Sequence, residues 1–162
     1  MPEYPDASIC VRKYEDGTLS DNFMAFVFKK AFELRFEEIA CGIYGKCVVC
    51  SLPTSEMLPD SVNMNTKLKD YLSSSASLLQ ATLFTDASSD TKEADIQELS
   101  DALRTNKCLA SVTIYYISPE LLATATDENY LKIINSKTPR YEYRGDFVID
   151  DNYKFVYEEW RP

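Results

Sequence analysis

The stretch from Leu83 to Ile117, LFTDASSDTKEADIQELSDALRTNKCLASVTIYYI, constrains the fold more than any other part of the chain. It reads as strand, loop, capped helix, strand, because each boundary carries its own chemistry. Asp90-Thr-Lys-Glu93 has capping-box spacing, an acceptor side chain followed three residues later by Glu, so the helix should open at Asp90 or Thr91. Ile96, Leu99 and Leu103, with Ala102 beside them, make one narrow apolar stripe, and charged residues fill the remaining surface. Thr105-Asn106-Lys107 should end the helix, since Asn tolerates the left-handed conformation of such a stop. Cys108, Ala110, Val112, Ile114 and Tyr116 then alternate with Leu109, Ser111, Thr113, Tyr115 and Ile117. This is a strand with one wholly apolar face and one mixed face, closed by Pro119.

Around this unit the other elements fall in order. Residues 1–6 read as a loose start, 7–14 as a first strand, and Asp16-Gly17 as a turn. Five of the eight phenylalanines lie between Asn22 and Ala40. As a helix, this segment puts Phe23, Val27, Ala31 and Leu34 on one face with Met24, Phe28 and Phe32 adjoining. Lys29, Lys30, Glu33 and Glu37 would keep the other side wet, Lys29 and Glu33 pairing at i, i+4. Ser20 or Asp21 would cap it and Gly42 would stop it; two strands are the rival reading, because Phe32, Leu34 and Phe36 also alternate. A strand is expected over 46–52, a short helix over 66–74, a serine connector at 73, 74, 75 and 77, and a strand over 78–85. Residues 120–135 read as a helix interrupted at Thr126-Asp127, which would cap the second piece. The tail from 141 to 159 reads as a β-hairpin turning at Asp150-Asp-Asn152.

The resulting expectation is one α+β domain over 1–162. A mostly antiparallel sheet, flanked by helices, would be built from 7–14, 46–52, 78–85 and 108–117. A C-terminal hairpin would complete it, with 136–162 as a hairpin extension. A chain of 162 residues is long enough to bury such a core without staples.

Composition excludes several functions. A net charge of −9 works against a sequence-independent grip on nucleic acid or anionic lipid, and no apolar run is long enough to span a bilayer. The polar start MPEYPDAS carries no secretory signal, and five cysteines make an odd number without an N-x-Ser/Thr sequon, so reduced thiols in the cytoplasm or nucleus are expected. Histidine is absent, which removes the usual general base and rules out a histidine triad.

The short motifs have plain structural readings. Cys47-Val-Val-Cys50 lacks a second pair for zinc, and inside a strand an offset of three sends its thiols to opposite faces. Arg144-Gly-Asp146 reads as a kink or bulge at Gly145. Asp146, Asp150, Asp151, Glu158 and Glu159 lack the order of a calcium loop, and the four glycines form no phosphate cradle. No metal and no cofactor is expected. The aromatic tail, with Tyr143, Tyr157 and Trp160, can fill a hairpin or anchor an interface.

Leu83 to Asp86, Ser88-Ser-Asp90-Thr91, Leu99, Leu103, Thr105-Asn106-Lys107 and the Val112 to Tyr116 strand together resemble the small proteasome assembly chaperones, type 4 in particular. The Phe-rich helix and the Cys47 to Leu52 strand fall where that family has its first helix and next strand, so the likeness covers about residues 18–117. The tail is longer than the family usually shows, and the chain ends Trp160-Arg-Pro162. The resemblance implies a non-catalytic α+β domain that pairs with a second small chaperone and helps order proteasome α subunits. Leu109, Tyr115, Ile117, Tyr143, Tyr157 and Trp160 are the expected partner-binding residues, the first three because they occupy the second face of the organising strand. The alternatives are a small enzyme using carboxylate, Ser or Cys, and a viral or immune protein that sequesters a host factor.

Overall fold

The computed structural model describes residues 8–54, 56–74 and 79–162. The expected loose start at 1–6, together with Ala7, Ser75, Ser77 and Leu78, lies outside the described residues. The chain folds as α+β around a five-stranded sheet. Strands β1 (Val11–Lys13) and β2 (Leu19–Asp21) form a separate antiparallel hairpin. Helix α1 (Phe23–Tyr44) leads to β3 (Cys47–Leu52), and α2 (Leu68–Leu72) precedes β4 (Gln80–Thr85). Helix α3 (Lys92–Asn106) crosses over to β5 (Ser111–Tyr116). Two short helices, α4 (Pro119–Leu122) and α5 (Tyr130–Ile134), come before the terminal hairpin of β6 (Tyr143–Ile149) and β7 (Phe155–Arg161).

The sheet order is β3-β4-β5-β6-β7, antiparallel everywhere except between β4 and β5, where the α3 crossover makes the pair parallel. The C-terminal hairpin therefore supplies two of the five strands. The first strand departs from expectation: it does not join this sheet. Gly17, at φ +86°, and Asp16, whose carboxylate accepts from Thr18 N–H at 2.9 Å, turn the chain back at once, so Val11–Lys13 pairs locally with Leu19–Asp21.

One sheet face, carrying Val49, Leu83, Val112, Ile114, Tyr116 and Phe147, packs under α1 and α3 through Phe32, Phe36, Ile96, Leu99 and Leu103. The other face is covered at one end, where Cys50, Phe84 and Tyr115 meet Ile117, Leu122, Ala125, Tyr130 and Ile133. This layer is built by Ser118, whose hydroxyl accepts from Leu121 N–H, with Pro119 in the first turn of α4.

Helix boundaries moved for local reasons. Ser88 takes the N-terminal capping role ahead of a 3-10 turn at Ser89–Thr91, accepting from Asp90 N–H at 3.2 Å, so the Asp90–Glu93 capping box does not form. Lys107, at φ 51°, adopts the left-handed stop expected of Asn106; the Asn106 amide instead donates to Ala102 C=O at 2.8 Å. Asp21 holds the start of α1, accepting from Phe23 N–H at 2.8 Å, but the helix runs through Gly42 to stop at Gly45, φ +75°.

The orientation of α1 is the main correction. Lys29 and Glu33, expected on the wet side, are each 1% exposed, while Val27 and Leu34, expected in the packed stripe, are 45% and 57% exposed. Apolar residues occupy most of this helix, so periodicity alone did not select its buried side. The edge of β3 selects it. Ser51 N–H and hydroxyl donate to Glu33 Oε1 at 2.8 and 3.0 Å, and Val49 N–H reaches Glu37 Oε2 at 3.5 Å. Two helix carboxylates one turn apart thus satisfy two outer N–H groups of an edge strand. Lys29 neutralises Glu33 and also binds Asp127, in the turn between α4 and α5. Asp127 is committed to this pair, and Asn129 stands at the start of α5 in the capping place assigned to Thr126-Asp127.

Candidate protein-binding surface

Most of the expected partner-binding residues are covered by the chain itself. Leu109 precedes β5 and lies in the core beneath the long helices, its N–H donating to Leu72 C=O at 2.8 Å. Tyr115 and Ile117 are buried under α4 and α5, where Tyr115 stacks on Phe84 at 5.4 Å and meets Tyr141 edge-on at 5.2 Å. An internal layer therefore covers the second face of the organising strand at this end.

Tyr143 and Trp160 are half-buried against the core, with the Lys92 ammonium 5.0 and 6.0 Å from their ring centres. Trp160 sits opposite Gly145 and packs 5.0 Å from Phe147. A Cβ on Gly145 would stand 2.5 Å from Phe147 Cε2 and 2.6 Å from Trp160 Cζ3. This glycine exists for close approach of rings and makes no bulge; the bulge is at Val148/Ile149. Of the six residues, Tyr157 alone is classed as exposed, at 45%.

Several of the candidate reactive groups are disarmed or committed. Cys50 is buried on the short-helix side, and Cys108 is buried in the core; burial pushes both thiols up to about 12, so neither is a ready nucleophile. Cys47 is not a free thiol either. It is bridged to Cys41 in the last turns of α1, Cα to Cα 5.5 Å, which corrects the expectation of reduced cysteines throughout. The C-x-x-C spacing is incidental to this bond, because Cys50 faces the other way. Asp146 accepts from Thr113 hydroxyl and from Arg144, both at 2.9 Å, and Asp150 folds the hairpin turn by accepting from the N–H groups of Asn152 and Lys154 at 2.9 Å each. Among the described residues, no three His, Cys, Asp or Glu side chains are grouped to hold a metal ion.

Besides Val148, Val156 and Tyr157 on the terminal hairpin, apolar surface faces solvent at the other end of the chain. Phe23, Val27, Ala31 and Leu34 follow one another at helical spacing along the outside of α1, half-buried or exposed. Val11 and Leu19 on the N-terminal hairpin are 64% and 63% exposed, and Leu19 lies in the strand that leads into α1. Beside that hairpin, Tyr14, Leu19, Met57, Leu58 and Pro59 line an open groove of about 390 Å³. Sequence reading identified the α1 stripe as one surface but assigned it to the core. Comparisons with protein-family models, with curated proteins and with solved structures give no match. No helix among the described residues is long and apolar enough to cross a membrane.

Proposed function

We propose that this chain is a non-catalytic protein-binding factor that engages its partner through the outer stripe of α1 and the adjoining N-terminal hairpin. The observation that carries this reading is the second apolar stripe of α1: the longest helix already buries one side in the core, yet Val27 and Leu34 stand open on another. An isolated exposed apolar side chain needs no explanation, but a stripe at helical spacing that follows a hairpin exposing Val11 and Leu19 is an interaction surface. The buried, high-pKa thiols of Cys50 and Cys108 argue against Cys catalysis.

The function fits an assembly factor that works as half of a heterodimer. A second small chaperone and proteasome α subunits as its partners rest on the sequence resemblance alone. The test is affinity purification at physiological salt with the wild-type chain, Val27→Asp and Leu34→Asp, followed by identification of co-purifying chains. Recovery of the same partner by wild type and its loss with both folded variants supports the reading. Capture that is indifferent to both substitutions, or isolation of the chain alone from cells blocked in proteasome assembly, overturns it.

A further inference from the structure

The two edges of the sheet are treated differently. On β3, Glu33 and Glu37 accept from the outer N–H groups of Ser51 and Val49, and α1 lies along the strand. On β7, nothing among the described residues pairs with the outer backbone, since this strand's only neighbour is β6. The register pairs Ile149 with Phe155 and Val148 with Tyr157, leaving Val156 as the extra residue of the bulge. Beyond it, Tyr157 to Arg161 pairs without interruption against Arg144 to Val148 and contains no proline. Five residues of regular edge remain.

We propose that this edge takes up an extended basic segment of another protein as a sixth strand, a proposal that rests on the protein-binding reading above but uses a different surface. A ladder of outer N–H and C=O groups is matched by another extended backbone, and the alternation of its side chains sets which segment fits. Along β7, Glu159 is already paired with Arg161 at 2.5 Å and accepts from the Tyr157 hydroxyl. Glu158 is exposed and enters no ion pair among the described residues. The edge therefore presents one unneutralised carboxylate, on a chain of net charge −9, and a Lys or Arg on the incoming strand complements it.

A second copy of this chain carries the same net charge of −9, and two self-pairing registers are directly disfavoured. Antiparallel self-pairing centred on Glu158 sets that carboxylate against its own copy, and centring on Glu159 does the same there. Like charges directly opposite destabilise a strand pair.

Trp160, the only tryptophan, lies within the edge and reports on it. The experiment titrates the full chain with a capped seven-residue peptide of alternating valine and lysine, following Trp160 emission and hydrogen exchange of the Tyr157 to Arg161 amides. The controls are a valine–glutamate peptide and a valine–lysine peptide with a central proline. Saturable binding with at least tenfold slower exchange along β7, at least fivefold weaker binding by Glu158→Lys, and failure of both control peptides are expected. Unchanged β7 exchange at millimolar peptide, equal binding of the glutamate peptide, equal binding by Glu158→Lys, or a dimer formed through β7 would each overturn it. Leu34→Asp should bind the peptide like wild type, so failure at α1 and failure at β7 are read separately.

Discussion

The ammonium of Lys29 lies 2.6 and 2.7 Å from the two carboxylate oxygens of Asp127, joining the longest helix to the short-helix layer on the opposite side of the sheet. The same ammonium holds Glu33, whose Oε1 accepts from the edge of β3. One cation thus ties two layers and a strand edge together. Burial is the largest influence on Lys29 and alone would lower its pKa, but the hydrogen bonds it donates to Asp127 and Glu33, with their negative charges, outweigh it and the net shift is upward.

Replacing Lys29 by Met should therefore cost about 3–5 kcal/mol, because it leaves the buried Glu33 carboxylate without its main counter-charge. Asp127→Asn should cost less, about 1–3 kcal/mol, since Asp127 is a third exposed and Glu33 still neutralises Lys29. Urea denaturation checks both. A raised lysine pKa stabilises fully below its unfolded value near 10.5, and that contribution is lost as pH rises through the higher folded value. Wild type should lose stability above about pH 10.5 more steeply than Lys29→Met.

Gly145→Ala should destabilise by about 1–3 kcal/mol, as overpacking typically does, because the added methyl meets the rings of Phe147 and Trp160. Trp160 emission should shift with it. A variant as stable as wild type would show that the rings move aside freely.

Reduction of the Cys41–Cys47 bridge should lower stability by about 2 kcal/mol, the loop-closure value for so short a loop. Thermal melts with and without reductant measure it, with Cys47→Ser as the control that no longer responds. In the folded reduced protein, alkylation at pH 8 should label Cys41 and Cys47 well before Cys50 and Cys108, whose thiols are buried.

Tyr44 and Tyr116 are buried, with their rings edge-on at 6.4 Å and their hydroxyls interacting with each other. Tyr44→Phe leaves the buried Tyr116 hydroxyl without that neighbour, so it should cost about 1–3 kcal/mol in urea denaturation.

The organising unit was legible because its chemistry is local. The Ile96–Leu99–Leu103 stripe, the strand ending at Tyr116 and the hairpin turn at Asp150 all fall close to where spacing puts them. The shift of the cap to Ser88 concerns which of several neighbouring acceptors wins, and tandem Ser-Ser-Asp-Thr does not decide that. The side of α1 that is buried was not legible. It depends on Ser51 N–H meeting Glu33 and on Asp127 meeting Lys29, contacts between residues far apart in the chain. Two of the expected binding residues are covered for a related reason: Tyr115 and Ile117 did need a cover, but short helices with weak patterns supply it. The exposed stripe of α1 was visible only as apolar residues, and nothing in their spacing distinguished a docking face from a core face.

Strand order in the sheet follows chain order from β3 to β7, so each strand, once synthesised, finds its neighbour already made. Lys29 must wait, because its partner Asp127 lies 98 residues downstream. At a synthesis rate of about 5–20 residues per second, the ribosome takes roughly 5–20 seconds to cover that distance. During this interval Glu33 is the only one of the two carboxylates available to Lys29. The nascent chain thus carries the β3 edge clasp before the second layer exists, and the arrival of Asp127 marks the moment at which the two sides of the sheet become one body.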